Sequence, residues 1–232
     1  MIPDILADYQ QIYTDYPATA PLTRAQRKER HQRLMAWEKG EYDPLPTFFE
    51  TVAFMQAHPD FKFEKPFAMK VLCPLVLERL TYGDIQPLKH LFALNAKDRR
   101  IGNAATNYVD MLAEWTGWQK TRRQLIDVVL EQEPDFQAAL MELHHLMGNH
   151  LGFTIHETPW AVLADKEAMP GLYQELAEFE VVSEKLGYDD EAFIKEVRTL
   201  YQAWEDFLDH ADEYDDYTGF EEYLIKHDIE YR

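Results

Sequence analysis

The spacing of apolar residues is the feature that most constrains the fold of this chain. These residues recur at positions i, i+3, i+4 and i+7 in almost every segment, which places them on one face of an α-helix. Glycine is scarce, at 9 of 232 residues, and the prolines stand at segment starts, where a helix tolerates them. Sustained alternation of apolar and polar residues, the mark of a half-buried strand, is missing; Leu151, Phe153 and Ile155 come nearest. The sequence therefore predicts an all-α fold.

Helix boundaries follow from capping residues and from glycine and proline. Thr23 is a favourable N-cap for a helix that ends before Gly40. Pro74 should kink its helix, and Gly148 should end another in a left-handed cap. A short helix should start at Thr158-Pro159, and a terminal one near Gly219. The other expected helices cover 3–13, 46–57, 66–80, 84–94, 98–115, 118–132, 135–147, 170–186 and 190–211.

The segment 190–211 has the clearest helical pattern in the chain. Acidic residues at its start favour the positive end of a helix dipole. Its apolar residues form one continuous stripe, which we expect to be buried. The stripe comprises Phe193, Val197, Leu200, Trp204, Phe207, Leu208 and Ala211.

Short turns between the predicted helices favour pairs of antiparallel helices. Residues 80–94 resemble residues 186–200, with matching Leu, Tyr, Asp, Lys and closing Leu, and each segment places a tight turn between two helices. Two copies do not define a repeat protein, and the signatures of tetratricopeptide and ankyrin repeats are absent from the sequence. We predict about nine to eleven helices in stacked αα-hairpins, as a bundle or a short superhelix. They should form a single domain over 1–232, with 41–46 as the point where it would subdivide.

Charge and cysteine content limit the classes of partner and compartment. The formal net charge is −19, which on average repels nucleic acid and anionic membranes. The single cysteine, Cys73, allows no intramolecular disulfide and no thiol metal set. The first residues lack the basic region of a signal peptide, and the longest apolar run is too short to span a bilayer. We therefore expect a cytoplasmic protein.

Histidines cluster between positions 144 and 156. Glu142 and His145 form a Glu-x-x-His pair, the helical element of di-iron bundles, but the second copy that such a site needs is absent from the sequence. On a helix that ends at Gly148, His144 and His145 point to different sides and cannot chelate one ion. We therefore favour capping and surface roles and expect no metal or cofactor. The alternative is a metal or general-base site built from Glu142, His145, His150, His156 and Glu157.

Carboxylates and aromatic residues are interleaved in the C-terminal region. From Thr199 to Ile225 there is neither lysine nor arginine. Carboxylates steer a basic partner toward a surface, and aromatic side chains anchor it. We therefore predict a docking surface for a basic protein that consists of Asp209, Asp212, Glu213, Tyr214, Asp215, Asp216 and Tyr217.

A short basic segment, 23–33, interrupts the acidic chain. It carries Arg24, Arg27, Lys28, Arg30 and Arg33. Pairing with the acidic C-terminal region, or with a second molecule, is the simplest interpretation, and phosphate binding is the alternative.

The two readings of the sequence lead to different functions. The favoured function is non-catalytic protein binding through the acidic surface, of the inhibitor or immunity-protein type, with a basic protein as the partner. The alternative is an enzyme that uses the histidine cluster. The two differ in whether Glu142, His145, His150 and His156 converge in a pocket.

Overall fold

The computed structural model describes residues 2–100, 107–214 and 218–231, without the side chains of 97–100. The helices are α1 Asp4–Asp15, α2 Arg24–Lys39, α3 Phe48–Ala57, α4 Lys65–Phe67, α5 Cys73–Thr81, α6 Gln86–Arg100, α7 Tyr108–Trp115, α8 Arg122–Leu130, α9 Gln137–Ile155, α10 Met169–Leu186, α11 Glu191–Asp209 and α12 Gly219–Lys226. A π-helical turn, Ala68–Leu72, joins α4 to α5 in one continuous segment. The described residues thus form eleven helical segments and no strand, which confirms the all-α prediction.

The chain divides into two compact units, residues 1–134 and residues 135–232, called unit 1 and unit 2 below. The boundary lies between α8 and α9, and residues 41–46 lie inside unit 1. That the whole chain is a single domain stays a prediction. Among the described residues, none of the helices has both the length and the apolar character needed to cross a bilayer.

An aromatic cluster holds the first helices of unit 1 together. Tyr9 of α1 packs between Trp37 of α2 and Phe67 of α4, with ring centroids 4.9 and 4.8 Å away. The indole nitrogen of Trp37 donates a hydrogen bond of 2.8 Å to the carbonyl oxygen of Ile5. All four residues are almost fully buried, so burial of apolar area is the main stabilising contribution here.

The predicted disturbance at Pro74 takes the form of a π-helical turn. Proline has no backbone N–H, so the α-helical hydrogen bond at this position cannot form. The helix widens just before it, and the N–H of Cys73 donates to the carbonyl of Ala68. The π turn also places Lys70 so that its Nζ donates to the carbonyl oxygens of Glu38 and Gly40, both at 2.6 Å. These two hydrogen bonds cap the C-terminal end of α2, where positive charge is generally stabilising.

Local capping signals start several helices where the sequence places them. Thr23, Thr47 and Thr121 each form a capping box with the residue three positions later. Glycines end others: Gly83 and Gly187 have φ of 76° and 68° and lie in the turns of the two similar segments. In both turns the next N–H reaches back five residues, from Asp84 to Arg79 and from Tyr188 to Ser183, as in a Schellman motif.

Gly148 does not end a helix, so that prediction was wrong. Helix α9 continues through it to Ile155. A Cβ atom at position 148 would lie 3.2 Å from Cε2 of Phe179, so glycine here lets α10 pack closely against α9. The helix predicted at Thr158-Pro159 was also wrong, because residues 156–160 form successive turns.

Unit 2 is built around α10, which packs against both α9 and α11. Val197 and Leu200 of α11 are buried as predicted, together with Ile194 and Tyr201. Trp204 is only half-buried, contrary to the predicted stripe, and its indole nitrogen donates to the carbonyl oxygen of Ala164 at 2.8 Å. The predicted stripe is therefore rotated slightly from the real one.

Two glycines of unit 2 allow a test of backbone conformation alone. A Cβ atom added at Gly152 or at Gly187 would have no neighbouring atom within 4 Å. Only Gly187 has a positive φ. We expect Gly187→Ala to lower the free energy of unfolding by about 1 kcal/mol or more, because it forces alanine into the left-handed region. We expect Gly152→Ala, inside α9, to raise it by about 0.5–1 kcal/mol. Urea unfolding of both variants measures the effect, and a shift of the same sign in both would contradict this account.

Candidate functional site

His144 links α9 to the turn between α10 and α11. Its Nε2 lies 2.8 Å from Oδ2 of Asp190, and its ring stacks on Phe179 with centroids 4.5 Å apart. Tyr188 packs edge-on against the same ring at 4.9 Å. Asp190 holds the N-cap position of α11 but makes no capping bond with its side chain. Its carboxylate bonds to His144 instead, so we assign this histidine a structural role.

The other histidines of the cluster point to separate places. His145 is exposed, on a different side of α9 from His144. His150, which lies on α9 and not in a loop, has its Nδ1 2.7 Å from Oε2 of Glu175. His156 follows the end of α9, with its Nε2 2.9 Å from Oε1 of Glu157. Each of the last two histidines therefore sits beside a different carboxylate.

The structure does not assemble the alternative catalytic site. Glu142 is buried, with 2% exposure, whereas its Glu-x-x-His partner His145 faces outward. In the described part of the chain, no group of three His, Cys, Asp or Glu side chains is placed to hold a metal ion. Burial raises the pKa of the Cys73 thiol to about 12, which disfavours the nucleophilic thiolate. The predicted set Glu142, His145, His150, His156 and Glu157 thus supplies no converging ligands.

Charge is divided very unequally between the two units. Unit 1 carries 17 lysines and arginines against 18 aspartates and glutamates, a net charge of −1. Unit 2 carries 6 against 24, a net charge of −18. Nearly all of the acidic character therefore belongs to 98 residues that form one compact unit.

Part of this charge lies in two sequence segments of unit 2 that one ion pair joins, called together the acidic end. It consists of Asp165, Glu167, Glu205, Asp206, Asp209, Asp212 and Glu213. Lys166 connects its two sequence segments, because its Nζ forms an ion pair with Asp209 across 43 positions. That bond, together with the Glu205 and Glu167 carboxylates, raises the pKa of Lys166. The ion pair therefore joins the loop 156–168 to the end of α11 and the 3-10 turn Ala211–Glu213 that follows it.

His210 reports the same electrostatic field. Its pKa is raised by a hydrogen bond from its Nδ1 to the carbonyl oxygen of Asp206, at 2.8 Å, and by the carboxylates of Asp206, Glu213 and Asp209. Three carboxylates of the acidic end therefore help to stabilise the charged form of His210.

The aromatic residues that lie among the carboxylates of 199–225 pack against one another next to the acidic end. The ring of Phe207 lies within 6 Å of the rings of Trp204, Phe220 and Tyr223. Tyr214 packs on Phe207 at 5.7 Å and accepts a hydrogen bond from Lys226 Nζ at 3.1 Å. Tyr214 is therefore part of a packed cluster, and its role as a partner anchor stays a prediction.

Exposed apolar side chains lie instead on the loop 156–168 and just before it. Trp160 is 61% exposed and Leu163 is 42% exposed. The backbone N–H of Leu163 donates to the carbonyl oxygen of Thr154 at 2.7 Å, which ties the loop to the last turn of α9. Phe153 of that turn is 59% exposed and stacks on His156. The loop thus carries apolar side chains and part of the acidic end together.

Sequence reasoning found one half of the acidic end and missed the other. Asp209, Asp212 and Glu213 belong to the acidic end, and their role in binding a partner stays a prediction. Asp215, Asp216 and Tyr217 lie outside the described residues. It missed Asp165 and Glu167, together with Trp160 and Leu163, because about 40 residues or more separate them from Asp209 at the end of α11. The dense run of acidic and apolar residues in the loop was the only local signal.

Comparison of the chain with protein-family models, with curated proteins and with solved structures found no match. The functional inference therefore draws on the geometry and charge of the chain's own residues.

The adjacent residues His144 and His145 allow a matched test of the structural role. We expect His144→Ala to lower the free energy of unfolding by about 1–3 kcal/mol, because it removes the bond to half-buried Asp190 and the stacking on Phe179. We expect His145→Ala to change it by less than about 0.5 kcal/mol, since that side chain is exposed. Urea unfolding compares the two variants, and equal effects would show that His144 is no link between the helices.

Proposed function

We propose that unit 2 is a non-catalytic docking module that binds a basic protein through its acidic end. The observation that carries this proposal is the charge division, a net −18 in unit 2 against −1 in unit 1. Charge that served only solubility would have no reason to be confined to one unit. Concentrated carboxylates instead raise the rate at which a cationic surface is met.

The surface chemistry defines the partner. It should present several lysines or arginines to the carboxylates of the acidic end, and an apolar recess to Trp160 or Leu163. A protein that uses such a basic surface to hold an anionic substrate would be blocked by this contact, which is how an inhibitor or immunity protein works. The charge of unit 2 disfavours nucleic acid and anionic membranes as partners. A cytoplasmic location is part of the same proposal and fits the use of a single cysteine.

Charge reversal tests the role of the acidic end in association. The reagent is the partner that the full chain captures from its native cell extract, identified by mass spectrometry and purified. We expect Asp212→Lys/Glu213→Lys to slow association with this partner about tenfold or more at low salt, and to change dissociation less. Surface-based binding kinetics at low and high ionic strength measures both rates.

The control is Glu184→Lys/Asp189→Lys, which changes the net charge equally at the α10–α11 turn. Helix α11 separates the two positions by about 27 Å, from its 19 residues. Egg-white lysozyme, a basic protein with no expected relation to this chain, serves as the nonspecific ligand. If both double variants slow association equally, the rate depends only on net charge and the acidic end is no docking surface.

Two exposed tryptophans test the apolar part of the surface. Trp160 and Trp118 are 61% and 60% exposed, but only Trp160 lies on the loop that carries part of the acidic end. We expect Trp160→Ala to speed dissociation of the partner about tenfold or more, because it removes an anchor, and Trp118→Ala to leave dissociation unchanged. Dissociation rates unchanged in both variants would exclude Trp160 from the interface.

A further inference from the structure

The first half of α2 presents a stripe of basic side chains to solvent. Arg24, Arg27, Lys28 and His31 are spaced i, i+3, i+4 and i+7, so they share one face of the helix, called the basic stripe. All four are exposed. The buried residues of α2, Leu34 and Trp37, lie in its second half. The first half therefore projects its charge without being needed for the core.

The neighbouring arginines of α2 have a different role. Arg33 forms an ion pair with Asp15 at 2.6 Å, and its guanidinium lies 5.0 Å from the ring centre of Tyr16. Arg30 lies over the ring of Tyr13 at 5.8 Å. These two side chains bind α2 to α1. In the described residues, by contrast, no carboxylate forms an ion pair with the basic stripe.

The basic stripe is also unfavourable for its own helix. The N-terminus of a helix carries partial positive charge, which disfavours cations in the first turns. Helix α2 has no acidic residue in its first turn to offset this, although the capping box of Thr23 and Gln26 holds its start in place. A bound anionic group would relieve this repulsion, so the structure carries a preformed cationic surface whose favourable partner is an anion.

We propose that the basic stripe binds the acidic end of a second copy of this chain. The charges of the two surfaces are complementary. The basic stripe has three permanent cations and a histidine, and the acidic end has seven carboxylates, with Lys166 and His210 between them. An arrangement that put unit 2 against unit 2 would oppose two charges of −18, whereas unit 1 is close to neutral. Contact between unit 1 of one copy and unit 2 of the other is the arrangement that this charge division favours.

Such contact joins two different surfaces, so it is heterologous. After one contact, one copy keeps a free acidic end and the other keeps a free stripe, so two copies close on each other through a second contact or more copies add in a row. The contact shares the acidic end with the proposed function, so a basic partner would compete with the second copy. Self-association is nevertheless measured on the purified chain without that partner, and its failure is distinct from failure of the proposed function.

Sedimentation velocity of the full chain tests this inference. At about 20 mM NaCl, where the Debye length is roughly 20 Å, we expect a concentration-dependent oligomer, and at about 500 mM we expect a monomer. R24E/R27E/K28E should weaken self-association about tenfold or more, and so should D212K/E213K. The control K39E/K62E/K120E makes the same charge change at other exposed lysines of unit 1 and should weaken it much less.

A mixture of the two reversed variants gives the decisive measurement. Each alone should sediment as a monomer at low salt, but a one-to-one mixture should form a heterodimer, because it unites one unaltered stripe with one unaltered acidic end. Circular dichroism and thermal unfolding verify that each variant is folded. A monomeric wild-type chain at low salt overturns the inference. An oligomer that the stripe reversal leaves intact overturns it too, as does a mixture that stays monomeric.

Discussion

The acidic end depends on the packed aromatic residues of α11 and α12. Exposed carboxylates repel one another by a few tenths to about 1 kcal/mol per close pair, and unit 2 holds many of them. Burial of one large aromatic side chain contributes about 1.5–3 kcal/mol, so Phe220 and Tyr223, almost fully buried beside Phe207, offset several such pairs. Two hydroxyls add to this: Tyr223 donates to Asp206, and Tyr173 donates to Glu205. The same alternation of aromatic and acidic residues thus supplies both the surface charge and the support that makes it tolerable.

Local rules predicted the helices of this chain well, and long-range packing explains where they failed. Thr23 and its capping box depend on residues three apart, so the start of α2 follows from the sequence alone. Gly148 is a typical helix-ending residue, but it lies inside α9, and the ring of Phe179, 31 positions away, lies 3.2 Å from the place of a Cβ atom. The predicted burial of Trp204 failed for a related reason, because a hydrogen bond to the carbonyl oxygen of Ala164 holds its side chain at the edge of the core.

The candidate site shows the same limit more strongly. The histidine cluster is dense in sequence, yet a helix distributes adjacent residues around its axis, so His144 and His145 end in different surroundings. The acidic end is the reverse case, since Lys166 and Asp209 are distant in sequence and joined only by the fold. Charge could be counted from the sequence, and lysine and arginine are already absent from 124 to 165, but the division into −1 and −18 depends on the boundary at Pro134, which only the fold supplies.

Ionic strength decides what such a charged surface can do by itself. At physiological salt the Debye length is about 8 Å, so the field of unit 2 acts only once a partner is almost in contact. It can speed encounter and exclude anionic surfaces, but a long-lived complex needs buried apolar contact as well. In the proposed complex, Trp160 and Leu163 supply that contact, because the loop that carries them also carries Asp165 and Glu167. The basic stripe of α2 has no exposed apolar side chain of comparable size among its four members. Self-association through it should therefore be weak and reversible, and a partner with both charge and an apolar recess would displace it.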